Sequence, residues 1–206
     1  MTTLRGTIFL VDDDPGIRSS LSRALRVRGF DVEAFGSAAD FLAVYDDDSV
    51  GCLILDHGMP DMTGLELQKH LTGMGCKIPI IFITGHGGVP ESVQAMKAGA
   101  LDFLEKPFRQ SDLLERVETA LQLSQGLMQL KQQARATGER LARLTPRERE
   151  IVDHMLAFPA EISSKEIGRH LDISPRTVDH HRARILEKMG VGSIVEMIDL
   201  LRRTGN

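Results

Sequence analysis

The chain has no tryptophan, a single tyrosine and two cysteines among 206 residues, and aromatic side chains make up only 4% of it. Apolar residues nonetheless reach 42%. Cys52 and Cys76 have neither CxxC nor metal-ligand spacing, which excludes a disulfide framework and a thiolate metal site. Both read as reduced thiols of a cytoplasmic protein. No apolar run is long enough to span a bilayer, so no membrane partner is expected. The start, with acids already at Asp12, does not read as a signal peptide. Internal repeats are absent. Charge of one sign is also lacking overall, but the net −4 hides an uneven distribution. Residues 1–123 hold 11 Lys/Arg against 18 Asp/Glu, residues 124–143 hold 4 against 1, and residues 144–206 hold 10 of each. An acidic front, a basic connector and a neutral back argue for two modules, at 1–123 and 144–206 with a linker between.

What is present is a series of apolar runs, each ending in a chemically useful residue. Ile8-Phe9-Leu10-Val11 leads to Asp12-Asp13, Cys52-Leu53-Ile54-Leu55 to Asp56, Ile80-Ile81-Phe82-Ile83 to Thr84, and Leu101-Asp102-Phe103-Leu104 to Lys106. Strands are expected near 7–12, 31–35, 51–55, 79–83 and 101–105, alternating with helices. Asp14 before Pro15, Ser37 with Asp40 three residues on, and Pro90 mark helix starts, while Gly29 and Gly99 mark helix ends. Alternating strands and helices predict a parallel, doubly wound α/β sheet, whose ligands bind outside the carboxyl ends of the strands. Three carboxylates, a hydroxyl and an ammonium at that edge suit a divalent cation with a phosphoryl group. The glycine-rich Gly85-His86-Gly87-Gly88 lacks a following Gly-Lys-Ser/Thr and is no P-loop. His57 and His86 read as exposed loop histidines rather than metal ligands.

Leu123, Leu127, Leu130 and Ala134 continue at rough helical spacing through a Gln-rich stretch, interrupted by Gly126 and Gly138. That stretch, 124–143, reads as a partly helical linker; a dimerising coiled coil is the sharper alternative, with few apolar heptads behind it. The last module reads as all helical, near 146–157, 164–170, 175–189 and 194–203. Thr145 with Glu148, Ser163 with Glu166 and Ser193 with Glu196 match capping boxes, and Ser174-Pro175 opens a further helix. The short connection Leu171-Asp172-Ile173 suits a helix-turn-helix.

The motifs Val11-Asp12-Asp13, Asp56 followed by Met59-Pro60 and Gly64, Thr84-Gly85, Met96-Lys97-Ala98-Gly99-Ala100 and Lys106-Pro107-Phe108 resemble a response-regulator receiver domain. Leu144-Thr145-Pro146-Arg147-Glu148-Arg149-Glu150, Lys165-Glu166-Ile167 and Ile173-Ser174-Pro175-Arg176-Thr177-Val178 resemble a LuxR-type helix-turn-helix, so the whole chain resembles the FixJ-type branch. The resemblance implies a flavodoxin-like sheet in the order 2-1-3-4-5 before a four-helix output domain. Asp56 would be the phosphoacceptor, with Asp12, Asp13, Asp56 and the Gly58 carbonyl holding Mg²⁺. Thr84 and Lys106 would bind the phosphoryl oxygens, Phe103 would be the aromatic switch, and Lys106-Pro107 a cis peptide. Gly58, without a side chain, and His86 fall where relatives tune acyl-phosphate lifetime. The implied partners are a sensor histidine kinase, promoter DNA, RNA polymerase and a second copy of the phosphorylated chain, pairing through residues 90–99 and 101–106.

In the third helix of the output module, Val178, Ile185, Leu186 and Met189 share a core face at helical period. The resemblance places base contacts at Asp179, His180 and Ala183, while Arg176, Thr177, His181, Arg184 and Lys188 suit phosphate oxygens. Relatives usually have a short glycine turn after the first helix of this module; here the longer Phe158-Pro159-Ala160-Glu161-Ile162 fills it. Two other functions compete. One is a haloacid-dehalogenase-like phosphatase, suggested by Asp12-Asp13-Asp14 but countered by Gly16 where that family wants Thr or Val. The other is a phosphorylation-independent adaptor that binds protein through residues 124–206.

Overall fold

Side chains alternate between the two faces of a strand, and these runs are apolar on both, so the sheet they build needs cover on both sides. The computed structural model describes residues 6–85 and 89–205, with side chains excluded at 89–91, so His86 lies outside the described residues. Strands β1 (Thr7–Val11), β2 (Asp31–Phe35), β3 (Gly51–Asp56), β4 (Ile80–Thr84) and β5 (Asp102–Glu105) form one sheet in the order β2-β1-β3-β4-β5, with every pairing parallel. On one face, Ile8, Leu10, Ile54 and Ile81 pack with Leu25 of α1 (Pro15–Val27) and Val117 of α5 (Gln110–Leu141). On the other, Phe9, Val11, Leu55 and Phe82 pack with Phe41 of α2 (Ala38–Val44), Leu67 of α3 (Gly64–Gly73) and Ala95 of α4 (Val89–Lys97). The Gly51 N–H, at the start of β3, donates to the buried Ser124 Oγ at 3.0 Å.

Local chemistry sets the element ends. Asp14 accepts from the Gly16 and Ile17 N–H groups at the start of α1, and Ser37 accepts from Asp40 at the start of α2. Gly29 and Gly99 close α1 and α4 at φ of 87° and 91°. The capping box at Thr63 and Glu66, which opens α3, escaped the sequence reading. Gly64 beside it has no room for a side chain: a Cβ would lie 2.4 Å from the Asp56 carbonyl oxygen. Lys106-Pro107 is cis.

The chain divides into two compact units, Met1–Met128 and Gln129–Asn206. The partly helical reading of residues 124–143 needs correction, because α5 continues without a break to Leu141. A Cβ at Gly126 or Gly138 would meet nothing, so each costs only the intrinsic ~1 kcal/mol of a helical glycine, which good helix formers around them outweigh. In the second unit, α6 (Pro146–Ala157), α7 (Ser164–Leu171), α8 (Pro175–Met189) and α9 (Ile194–Thr204) bury Ile151, Met155, Ile167, Val178, Ile185 and Met197 together. The boxes at Thr145 and Ser163 close reciprocally. The one expected at Ser193 closes by half: Ser193 accepts from the Glu196 N–H, but Glu196 accepts from the Gly192 N–H instead of from Ser193. Asp172 ends α7 in the left-handed region at φ 55°. Among the described residues no helix is long and apolar enough to cross a membrane.

Candidate functional site

Register brings the strand ends to one level. Val11 pairs with Leu55, and Asp56 pairs with Ile83, so Asp12, Asp56 and Thr84 leave the sheet side by side. Lys106 follows β5, its N–H donating to the Thr84 carbonyl at 2.7 Å. The Lys106 Nζ then donates to Asp12 Oδ2 at 2.9 Å and to Asp56 Oδ1 at 2.7 Å. Each carboxylate has a backbone partner for its other oxygen: the Asp14 N–H reaches Asp12 Oδ1 at 2.9 Å, and the Gly58 N–H reaches Asp56 Oδ2 at 2.7 Å. Arg18, which the sequence reading did not single out, anchors the Asp12 carbonyl from α1 at 2.7 Å.

Burial divides the acids. Asp12, Asp56 and Thr84 are buried, whereas Asp13 and Gly58 are exposed. Burial pushes the Asp12 carboxyl above its usual range, and the Lys106 and Asp14 hydrogen bonds offset only part of that rise. Burial alone would lower Lys106, but its hydrogen bonds to Asp56 and Asp12 outweigh it and raise the ammonium above its ordinary value. Among the described residues no three His, Cys, Asp or Glu side chains are gathered as a metal cage. The oxygens of Asp12 and Asp56 converge on Lys106 instead. Even so, the donor chemistry fits a hard cation: carboxylate oxygens, one on a buried group whose charge is costly to hold. Phe103 is half-buried and packs against the core face that holds Phe82 and Ala95. His57 is not an exposed loop residue, as expected, but half-buried, with Nε2 buried and lacking a hydrogen-bond partner.

In the output unit Arg176, Thr177, Asp179, His180, Ala183 and Arg184 are all exposed along α8, and Val178, Ile185 and Met189 are buried opposite. Three of the expected contact residues are engaged within the protein. Thr177 is tied to the Ser174 cap, with Oγ atoms 2.7 Å apart. Asp179 Oδ1 accepts from the Ser164 hydroxyl. Lys188 corrects the sequence reading most: its Nζ donates to Glu148 Oε2 at 2.6 Å, and that carboxylate is only 1% exposed. The ammonium is therefore committed to a buried partner on α6 rather than left free for a phosphate. His181 is half-buried, with Nδ1 buried and unpartnered. The longer turn after α6 is closed by the Glu161 N–H on the Phe158 carbonyl, and the His154 Nε2 lies 3.3 Å from the Glu161 carbonyl oxygen.

Comparison with known proteins matches two regions of the chain. Residues 8–118 match the response regulator receiver domain, and residues 142–201 match the bacterial regulatory proteins of the luxR family. The transcriptional regulatory protein FixJ of Bradyrhizobium diazoefficiens is 39% identical over 203 residues, covering 98% of each chain. The transcriptional regulatory protein TdiR of Thauera aromatica is 40% identical over 197 residues, 96% of this chain and 86% of that one. Among solved structures, the response regulator StyR superposes with a TM-score of 0.83 at 39% identity, over 97% of this chain and 99% of that one. The strand-end carboxylates and the exposed face of α8 thus sit in a known frame: the chain belongs to the FixJ family of two-component response regulators, transcription regulators rather than enzymes, in which a receiver precedes a DNA-binding LuxR-type output domain.

Proposed function

We propose that a sensor histidine kinase in the cytoplasm phosphorylates Asp56, that the modified receiver pairs with a second copy, and that the pair binds promoter DNA through α8 and meets RNA polymerase there. The receiver is residues 1–123, the connector 124–143 and the output domain 144–206. The observation that carries this reading is the convergence of Asp12, Asp56 and Lys106 beside Thr84 at the strand ends.

An Asp56 oxygen attacks phosphorus, the bond from phosphorus to the kinase imidazole breaks, and an acyl phosphate forms on the side chain. Lys106, already bonded to Asp56, neutralises the phosphoryl oxygens as a compact charge, and the Thr84 hydroxyl donates to one of them. Asp12, Asp13 and Asp56, with the Gly58 carbonyl, would hold Mg²⁺. When bound, the ion supplies positive charge against the carboxylates and the incoming phosphoryl group. Movement of Thr84 draws Phe103 inward and changes the surface of α4 and β5, where Val93 and Met96 already expose apolar area. On α8, Asp179, His180 and Ala183 meet base edges, while Arg176, Thr177, His181 and Arg184 meet phosphates.

Incubation of the full chain with acetyl phosphate and Mg²⁺ adds one phosphate by intact mass. Persistence of that shift in Asp56→Asn would overturn the choice of acceptor.

A further inference from the structure

The hydrogen bonds around the first turn of α7 form a directed chain that the DNA reading does not use. Arg182, on α8, donates through one guanidinium nitrogen to the Ile162 carbonyl at 3.2 Å and to the Ser164 Oγ at 3.1 Å. A serine hydroxyl has one hydrogen to give. With Arg182 donating to its oxygen, the hydrogen of Ser164 goes to Asp179 Oδ1. Asp179 and Arg182 lie three residues apart on α8 and so share a face. They are close enough in sequence to pair directly, yet the hydroxyl from α7 stands between them. Asp179 remains exposed, so the carboxylate is held on one side and open on the other. The Ile162 carbonyl is the last group of the longer turn after α6, so that turn also enters the chain of bonds.

We propose that Ser164 is a positioning residue for DNA readout: its hydroxyl, oriented by Arg182, aims the Asp179 carboxylate, and base preference on α8 is thereby set in part from α7. The inference rests on the reading above in which Asp179 meets a base edge. A free aspartate loses its rotamer freedom on meeting a cytosine amino group; one already held loses less. Ser164 contributes to discrimination without touching DNA.

The test uses the full-length chain with Mg²⁺ and beryllofluoride, selecting from a duplex pool with a randomised central segment, and the bound pool is sequenced. Asp179→Ala flattens preference at one base pair of each half-site. Ser164→Ala weakens preference at that same base pair about fivefold, the effect of releasing one side-chain rotamer. Affinity for a non-specific duplex stays within about twofold, because the phosphate contacts are untouched. Ser164→Thr, which keeps the hydroxyl, retains the preference, and Ser164→Ala adds nothing in the Asp179→Ala background. Arg182→Met, which frees the hydroxyl to rotate, mimics Ser164→Ala and gives a second route to the same base pair. If Ser164→Ala instead weakens all sequences alike, or leaves the base pair sensitive to Asp179 unchanged, the positioning role is refuted while the base-reading role of Asp179 stands. If Asp179→Ala itself leaves preference intact, or the unaltered chain selects no sequence, the DNA reading fails and this inference with it.

Discussion

Asp12 and Glu148 are both buried carboxylates facing a lysine, and they shift in opposite directions. Asp12 is raised, so its folded value lies above the ordinary 3.8. A raised carboxylate contributes stability below its unfolded value and loses it as pH rises through the folded one, so ionised Asp12 is a burden on the receiver at neutral pH. Asp12→Asn should therefore raise receiver stability by about 1 kcal/mol while abolishing labelling by acetyl phosphate, a trade of activity for stability that urea titration and intact mass would measure together. Glu148 is pushed up by burial, but Lys188 and the Thr145 cap outweigh that and hold it below the ordinary 4.5. Its contribution is present above the unfolded value and disappears as pH falls through the folded one, so the output unit should weaken as pH drops below 4.5. Lys188→Ala strips a buried charge of its partner and should cost about 2 kcal/mol, less than a fully buried pair because the lysine is partly exposed. Its effect on DNA affinity should vanish once folding is corrected for. The strand-end acids were legible in the sequence because each closes a continuous apolar run, and parallel strands bring the ends of all such runs to one edge of the sheet. The Lys188–Glu148 and Ser164–Asp179 bonds were not, since they join residues on different helices and depend on how those helices cross.

At the scale of the element, α8 and α5 make contrasting predictions. Arg184 is exposed, and its guanidinium makes no side-chain hydrogen bond or ion pair among the described residues, so Arg184→Ala should weaken binding to all sequences together and reduce the salt slope by about one phosphate equivalent. Fluorescence anisotropy across a salt series decides it; a change in base preference instead would exchange the roles of Arg184 and Asp179. In α5, Gly138→Ala should stabilise the chain by roughly 0.5–1 kcal/mol, because the added methyl meets nothing and the unfolded chain loses freedom. A lower melting temperature would show that the helix is not intact there in solution. Helix starts were readable at most places where Ser, Thr or Asp precedes an apolar period, Thr63 before α3 being passed over, and the bounds of α6 and α8 match the sequence reading at both ends. Continuity of α5 was hidden by its glycines, whose local cost is smaller than the helical preference of the residues around them. The half-closed cap at Ser193 was hidden for a different reason: Glu196 had two N–H groups within reach, and sequence spacing does not choose between them.

For the whole molecule, phosphorylation should move the chain from monomer toward dimer. The acyl phosphate carries about −1.5 to −2 charges beside Lys106 in place of the single carboxylate charge of Asp56, and the population shifts only as far as the two receiver states differ in affinity for the modified group. Sedimentation with beryllofluoride should give twice the monomer mass; an unchanged mass would refute pairing. A separate consequence follows from the scarcity of aromatic residues. Tyr45, the only tyrosine, stacks on Phe41 at 5.0 Å and receives the Cys76 thiol hydrogen bond at 3.3 Å, all within the first unit. With no tryptophan anywhere, emission excited in the tyrosine band, where phenylalanine does not absorb, comes from one ring in the receiver, and the DNA-binding unit adds nothing to it. Circular dichroism, which sees the helices of both units, and tyrosine emission therefore form a built-in pair of probes. In urea, units that melt as one give superimposed curves, so a separation of the two, read without any label, shows that the signal and response units unfold independently.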